Sequence, residues 1–170
     1  DADSLVPDDS DVAGVLAGAL DLAEDLAREH GIERIRAASD QYLFVAGLGS
    51  PGDWADEAID FALQLADRIA AHAEDAEMAL GVHIGVSSGP VATGVLERGD
   101  LTFAAWGEPV RRALAIGALA QTDEVLVDAS TAASATAGSR TLRPATDVLA
   151  LDGRPMELFT VVSDRTQPSE

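Results

Sequence analysis

The order of apolar patterns along the chain constrains its fold more than any other feature. Two long stretches repeat apolar residues every three or four positions, which predicts amphipathic helices. Each is followed by short apolar runs broken by glycine or proline, which predicts pairs of strands. Helices are predicted over 11–30, 53–72, 110–119 and 130–137, and strands within 32–48 (two strands around a turn at 38–41), 80–86, 91–96, 103–106, 125–127 and 148–162 (two strands around a turn at 152–155). Because strands and helices are mixed without strict alternation, the predicted class is α+β, with a mixed sheet and helices on one face.

The length fits one domain with its own core. The chain has 170 residues, of which 47% are hydrophobic and 24% charged, as in ordinary globular proteins. We expect an acidic tail or loop over 1–10, one domain over 11–162 and a short tail over 163–170. Because the chain starts at Asp1 without Met, we expect it to be a piece of a longer protein.

The charge excludes several classes of partner. The formal net charge is −19, from 30 acidic and 11 basic residues, and every basic residue is arginine. A field of that sign repels nucleic acid and anionic lipid, so neither nucleic acid nor direct membrane contact is expected. There is no run of eighteen apolar residues, which disfavours a transmembrane segment. We therefore expect a cytoplasmic domain, which is compatible with a larger, membrane-tethered parent protein.

The composition also limits metal chemistry. There is no cysteine, so disulfides and thiolate metal sites are excluded. The three histidines, His30, His72 and His83, have no ligand-like spacing, so a zinc site is not expected.

Four motifs follow one another over about 130 residues. The segments are IRAASDQYLFVAGL at 35–48, IGVSSGPVATG at 84–94, FAAWGEPV at 103–110 and LDGRPMELF at 151–159. In this order they resemble the catalytic domain of class III adenylate and guanylate cyclases. The resemblance implies a ferredoxin-like βαββαβ cyclase-homology fold extended by a C-terminal strand pair.

The family's metal chemistry maps onto one residue of this chain. Family cyclases drive a ribose 3′-hydroxyl onto the α-phosphorus of a nucleoside triphosphate with two metal ions held by two aspartates. The resemblance places the second aspartate at Asp40, whereas the first falls before Asp1, so we expect the family's opening strand to be missing here. The alternative for Asp40 is a plain turn residue, since Asp suits tight turns.

The base-recognition positions are altered. The resemblance places a lysine and an aspartate where this chain has Arg36 and Ala104. A planar guanidinium does not replace a lysine ammonium without rearrangement, and alanine offers no acceptor. The alternative for Arg36 is an ion pair with the acidic surface.

The catalytic positions on the following helix are also altered. The family's ribose-orienting Asn and its charge-stabilising Arg correspond to Arg111 and Ala115. Loss of such a stabiliser costs roughly a hundred- to a thousandfold in rate. Trp106, between these positions and the base-recognition strand, is expected in the core or at an interface.

These substitutions predict a degenerate cyclase-homology domain. The expected function is a catalytically inactive dimerisation or regulatory module in signalling, with a second copy or another cyclase-homology domain as its partner. No cofactor is required for that role, and Mg²⁺ or Mn²⁺ is expected only with bound nucleotide. The alternative is the metal-bearing half of a heterodimeric adenylate cyclase that makes cyclic AMP from ATP.

Overall fold

The computed structural model confirms an α+β fold with a mixed sheet. It describes residues 9–36, 41–50, 52–98, 100–136, 140–145, 150–151 and 154–163. The helices are α1 (Asp9–Glu29), α2 (Ala55–Asp75), α3 (Glu108–Gly117) and α4 (Ala129–Ser134). The strands are β1 (Glu33–Arg36), β2 (Tyr42–Val45), β3 (His83–Val86), β4 (Ala92–Arg98), β5 (Asp100–Trp106), β6 (Glu124–Asp128), β7 (Arg140–Pro144), β8 (Ala150–Leu151), β9 (Arg154–Pro155) and β10 (Leu158–Ser163).

The main sheet has four strands in the order β3-β6-β10-β7. Strands β3 and β6 are parallel, with Gly85 opposite Leu126, and β10 runs antiparallel to both β6 and β7. The pairs β1–β2, β4–β5 and β8–β9 are separate antiparallel hairpins among the described residues. The predicted hairpin within 32–48 is confirmed, with Ile35 opposite Leu43.

Helices cover both faces of the sheet, so the prediction of helices on one face is wrong. Val125 and Val127 of β6 pack with Ile59 of α2, whereas Leu126 between them packs with Ile116 of α3. Alternate residues of a strand point to opposite faces, so α2 and α3 lie on opposite sides of β6. The three central residues of β6, VLV at 125–127, are all apolar, which fits this burial on both faces.

A second part of the core lies between α1 and α2. Leu26 of α1 and Phe61 of α2 are buried there, and Phe44 of β2 packs against them. The helices are also joined by polar contacts, since His30 Nδ1 lies 2.5 Å from a Glu57 carboxylate oxygen. The same layer of helices, α1 and α2, covers both the hairpin β1–β2 and strand β3.

The C-terminal strands differ from the prediction. Strand β10 pairs with β6 and β7, whereas β8 and β9 form a hairpin of two residues each, and residues 152–153 of the predicted turn lie outside the described residues. Strand β7 was not predicted, because its sequence RTLRP has no apolar alternation. It is an edge strand that pairs with β10 alone among the described strands, and an edge position tolerates Pro144.

None of the helices in the described ranges combines the length and the apolar character needed to cross a membrane.

Candidate functional site

The second motif, at 84–94, is shaped by close backbone contact. A Cβ atom on Gly85 would lie 2.3 Å from the Gly117 amide nitrogen and 2.4 Å from the Ala113 carbonyl oxygen. Real Cβ atoms do not approach backbone that closely, so only glycine lets α3 lie directly on β3. This contact fixes the C-terminal half of α3 over the sheet.

The second and third motifs meet in space. Gly89 has a φ of +153° and lies against the Pro109 ring, which a Cβ atom there would approach to 2.8 Å. Gly107 has a φ of +144°, and a Cβ atom there would lie 3.1 Å from the Pro90 carbonyl oxygen. The loop after β3 and the turn between β5 and α3 are therefore packed as one unit.

The β4–β5 hairpin carries an exposed apolar surface. Val95 is opposite Phe103, with 61% and 44% of their surfaces exposed, and Leu96 is 47% exposed. Trp106 is 46% exposed, and its ring lies over Gly94, whose added Cβ would be 3.0 Å away. Because successive residues of a strand alternate between faces, Val95 and Phe103 lie on one face of the hairpin, and Leu96 and Trp106 lie on the other. We call these four exposed residues, over both faces, the hairpin surface. Its exposure excludes a core position for Trp106 and leaves the interface interpretation.

The predicted base-recognition positions lie on neighbouring strands. Ala104 is half-buried in β5, opposite Gly94 of β4. Strand β1, which ends at Arg36, lies beside β5. The side chain of Arg36 and the whole of Asp40 lie outside what the structure describes.

The predicted catalytic positions lie on α3. Arg111 is exposed in the second turn, and Ala115 is half-buried one turn later. Within the described part of the chain, the Arg111 guanidinium has no hydrogen-bond or ion-pair partner. The structure therefore brings Ala104, Arg111 and Ala115 onto one strand-turn-helix unit, β5–α3.

Sequence reasoning missed a buried polar cluster beside this unit. Asp128 ends β6 and is only 2% exposed. One carboxylate oxygen accepts from the Thr131 amide (2.9 Å) and lies 2.7 Å from the Thr131 hydroxyl. Through the bond to this amide, Asp128 caps α4. The other carboxylate oxygen accepts from the Ser87 hydroxyl (2.7 Å) and from an Arg112 guanidinium nitrogen (3.2 Å). A lone Asp after an apolar strand was the available signal.

The cluster sets the charge of its members. Burial by itself would raise the pKa of Asp128, but hydrogen bonds from Ser87 and Thr131 outweigh it and hold this pKa below its usual value. The hydrogen bond to Asp128 raises the pKa of Arg112, which also contacts Glu108 one turn before it on α3. Asp128 is therefore a buried carboxylate with a guanidinium partner.

No three metal-binding side chains come together in the described ranges. Asp40, the predicted ligand, falls in a gap between those ranges.

Comparison with known proteins identifies the family. The family model described as "Adenylate and Guanylate cyclase catalytic domain" matches residues 8–162. The chain belongs to this family.

Relatives of this cyclase-family chain include two curated proteins. An "Adenylate cyclase" from Mycobacterium tuberculosis is 28% identical over 88 residues, which are 51% of this chain and 20% of that protein. An "Adenylate cyclase, aggregation specific" from Dictyostelium discoideum is 27% identical over 96 residues, 56% of this chain and 6% of that protein. The matched part is thus a fifth or less of these relatives.

Solved cyclase structures share the fold. The adenylyl cyclase CyaB from P. aeruginosa aligns with a TM-score of 0.83 at 16% identity, covering 96% of this chain and 88% of that chain. The guanylate cyclase domain of RhGC from Catenaria anguillulae, solved with GTP, aligns with a TM-score of 0.76 at 21% identity, covering 94% and 88%. At these identities the likeness concerns the fold alone.

Proposed function

We propose that this cyclase-homology domain makes no cyclic nucleotide by itself and acts as a self-associating or regulatory module in signalling. The observation that carries the proposal is the side-chain content of the β5–α3 unit. By the resemblance of the third motif to the family, Ala104, Arg111 and Ala115 correspond to the positions for the base, the ribose and the transition-state charge.

These substitutions remove functional groups needed for catalysis, whereas the packing of α3 on the sheet is kept. Ala104 cannot accept a hydrogen bond from a purine, and Ala115 brings no charge to a developing phosphate anion. Arg111 starts one turn from the required position, and catalytic clamps tolerate little misplacement. The glycines that seat α3 and its preceding turn are retained, which is the pattern of a kept scaffold with lost catalysis.

Self-association is supported by the hairpin surface. Each face of the hairpin exposes two large apolar side chains, and exposed apolar surface of this kind marks a protein interface. Strand β3 also pairs only with β6 among the described strands, and an open sheet edge recruits further strands. We propose a homodimer or a pair with another cyclase-homology domain. The net charge of −19 opposes association, so salt should strengthen it.

Sedimentation at tens of micromolar protein, in low and high salt, tests the module. We expect a dimer that tightens with salt. Phe103→Asp should raise the dissociation constant at least tenfold. Leu119→Asp is the matched control: it adds the same charge at a 36% exposed residue beyond the far end of α3 and should change the constant less than twofold. A strict monomer in both buffers would contradict the proposed self-association.

The second candidate is the metal-bearing half of a heterodimeric adenylate cyclase, with Mg²⁺ or Mn²⁺ on Asp40. It is favoured by the placement of Asp40 within the first motif and by the adenylate cyclase relatives. Its test is cyclic AMP production by this chain mixed with a cyclase domain that carries the base and transition-state residues. Activity that needs both chains and is lost in Asp40→Ala would favour this candidate.

A further inference from the structure

The helix that carries Arg111 and Ala115 is held by contacts along its length, beginning with Pro109 packed against Gly89 in its first turn. Its C-terminal half lies on β3 through the backbone contact at Gly85, and Ile116 is fully buried against Leu126 of β6 and Leu158 of β10. Its N-terminal half contains Arg112, whose side chain is directed inward to Asp128 at 3.2 Å. Arg111, next to it, is exposed.

The Asp128 carboxylate connects three parts of the fold. It caps α4 through Thr131, accepts from Ser87 at the end of β3 and pairs with Arg112 of α3. The loop after β3 is tied in further, because the Thr131 and Ser88 hydroxyls lie 3.0 Å apart. In the cluster as described, Arg112 supplies the cation for a buried carboxylate.

Loss of one partner would leave the other in an unfavourable state. A buried charge without its counter-ion draws in water or rearranges its surroundings. The backbone contact at Gly85 lies near the other end of α3. The buried Pro109 packs against Gly89 in the first turn, and Arg112 adds the ion pair that ties the following turn to the end of β6. Those turns follow directly from Trp106 through Gly107.

We propose that Asp128 and Arg112 are positioning residues that fix the N-terminal half of α3, and with it Arg111 and the Trp106 end of the hairpin surface. The effect on the hairpin surface rests on the proposed function. The effect on α3 does not, and it holds for a monomer as well.

Hydrogen exchange on the whole chain, read by mass spectrometry, tests the proposal. In Arg112→Gln we expect the amides of α3 to exchange at least tenfold faster, whereas those of α2 change less than twofold. Arg111→Gln is the matched control, since it removes the same charge from the neighbouring exposed residue, and it should leave α3 unchanged. Arg112→Lys keeps the cation and should restore most of the protection.

A second variant separates the ion pair between Asp128 and Arg112 from the capping of α4 by Asp128. Asp128→Asn keeps an oxygen for the Thr131 amide but presents an NH₂ group to Ser87 and Arg112, so it should loosen α3 as Arg112→Gln does. Unchanged exchange of α3 in Arg112→Gln, or equal acceleration in α2 and α3, would overturn the proposal.

Sedimentation of the same variants separates the two claims. A fivefold weaker dimer in Arg112→Gln, with no change in Arg111→Gln, supports the link to the hairpin surface. If the wild type is monomeric and α3 is selectively loosened in Arg112→Gln, the positioning role is supported and the self-association role is contradicted.

Discussion

Gly85→Ala is the substitution whose effect follows most directly from the geometry. The added methyl group would lie 2.3 Å from the Gly117 nitrogen and 2.4 Å from the Ala113 oxygen, where contacts below 3.4 Å are already tight. Helix α3 would have to move by about 1 Å. Both neighbours are backbone atoms that cannot rotate away, so we expect the upper part of the usual overpacking cost, about 2–3 kcal/mol.

Urea and thermal denaturation would measure this cost. For a domain of this size, the loss corresponds to a fall in Tm of about 4–12 °C. Gly14→Ala is the matched control: Gly14 lies inside α1 with no atom within 4 Å of its added Cβ, so it should stabilise by about 0.5–1 kcal/mol. A Gly85→Ala protein as stable as the wild type would refute the seating of α3 on β3.

Two further predictions concern protonation and ligand binding. Because the folded pKa of Asp128 lies below its ordinary value of 3.8, its stabilising contribution is complete above about pH 4 and is lost as the pH falls through the folded pKa. The stability difference between wild type and Asp128→Asn, from urea denaturation, should therefore be larger at pH 6 than at pH 3, and an equal difference at both would contradict the buried-carboxylate assignment. ATP or GTP with Mn²⁺ should bind with a dissociation constant of about 1 mM or weaker, worth about 4 kcal/mol or less, so micromolar binding by calorimetry would contradict the proposed loss of the nucleotide site.

Local patterns predicted most of the elements but not how they pack. The periodicity of α1 and α2 and the apolar runs of β2 and β6 were enough to place those elements, because their side chains are buried in regular positions. Strand β7 was missed because it owes its place to pairing with β10 and carries two arginines, of which Arg140 pairs with Asp56 and Asp60 of α2. The formation of such a strand depends on pairing with residues far away in the sequence.

The site shows the same division. The second and third motifs could be placed from sequence, but only the structure shows the close contacts that require glycine: backbone atoms at Gly85 and Gly107, and the Pro109 ring at Gly89. The sequence could single out Asp128 after its apolar strand but not its partners, because Ser87, Arg112 and Asp128 lie far apart in the chain and meet only when β3, β6 and α3 are assembled. The roles of Arg36 and Asp40 stay predictions.

The most direct test of the account is a cyclase assay on the chain alone, with ATP or GTP and Mn²⁺, read by mass spectrometry of cyclic AMP and cyclic GMP. Asp40→Ala serves as the matched control, because it removes the predicted metal ligand and would separate turnover at this site from a contaminating cyclase. We predict product at the level of the blank for the wild type and for Asp40→Ala. Turnover by the wild type that disappears in Asp40→Ala would contradict the central claim that this domain has kept the cyclase scaffold without its catalysis.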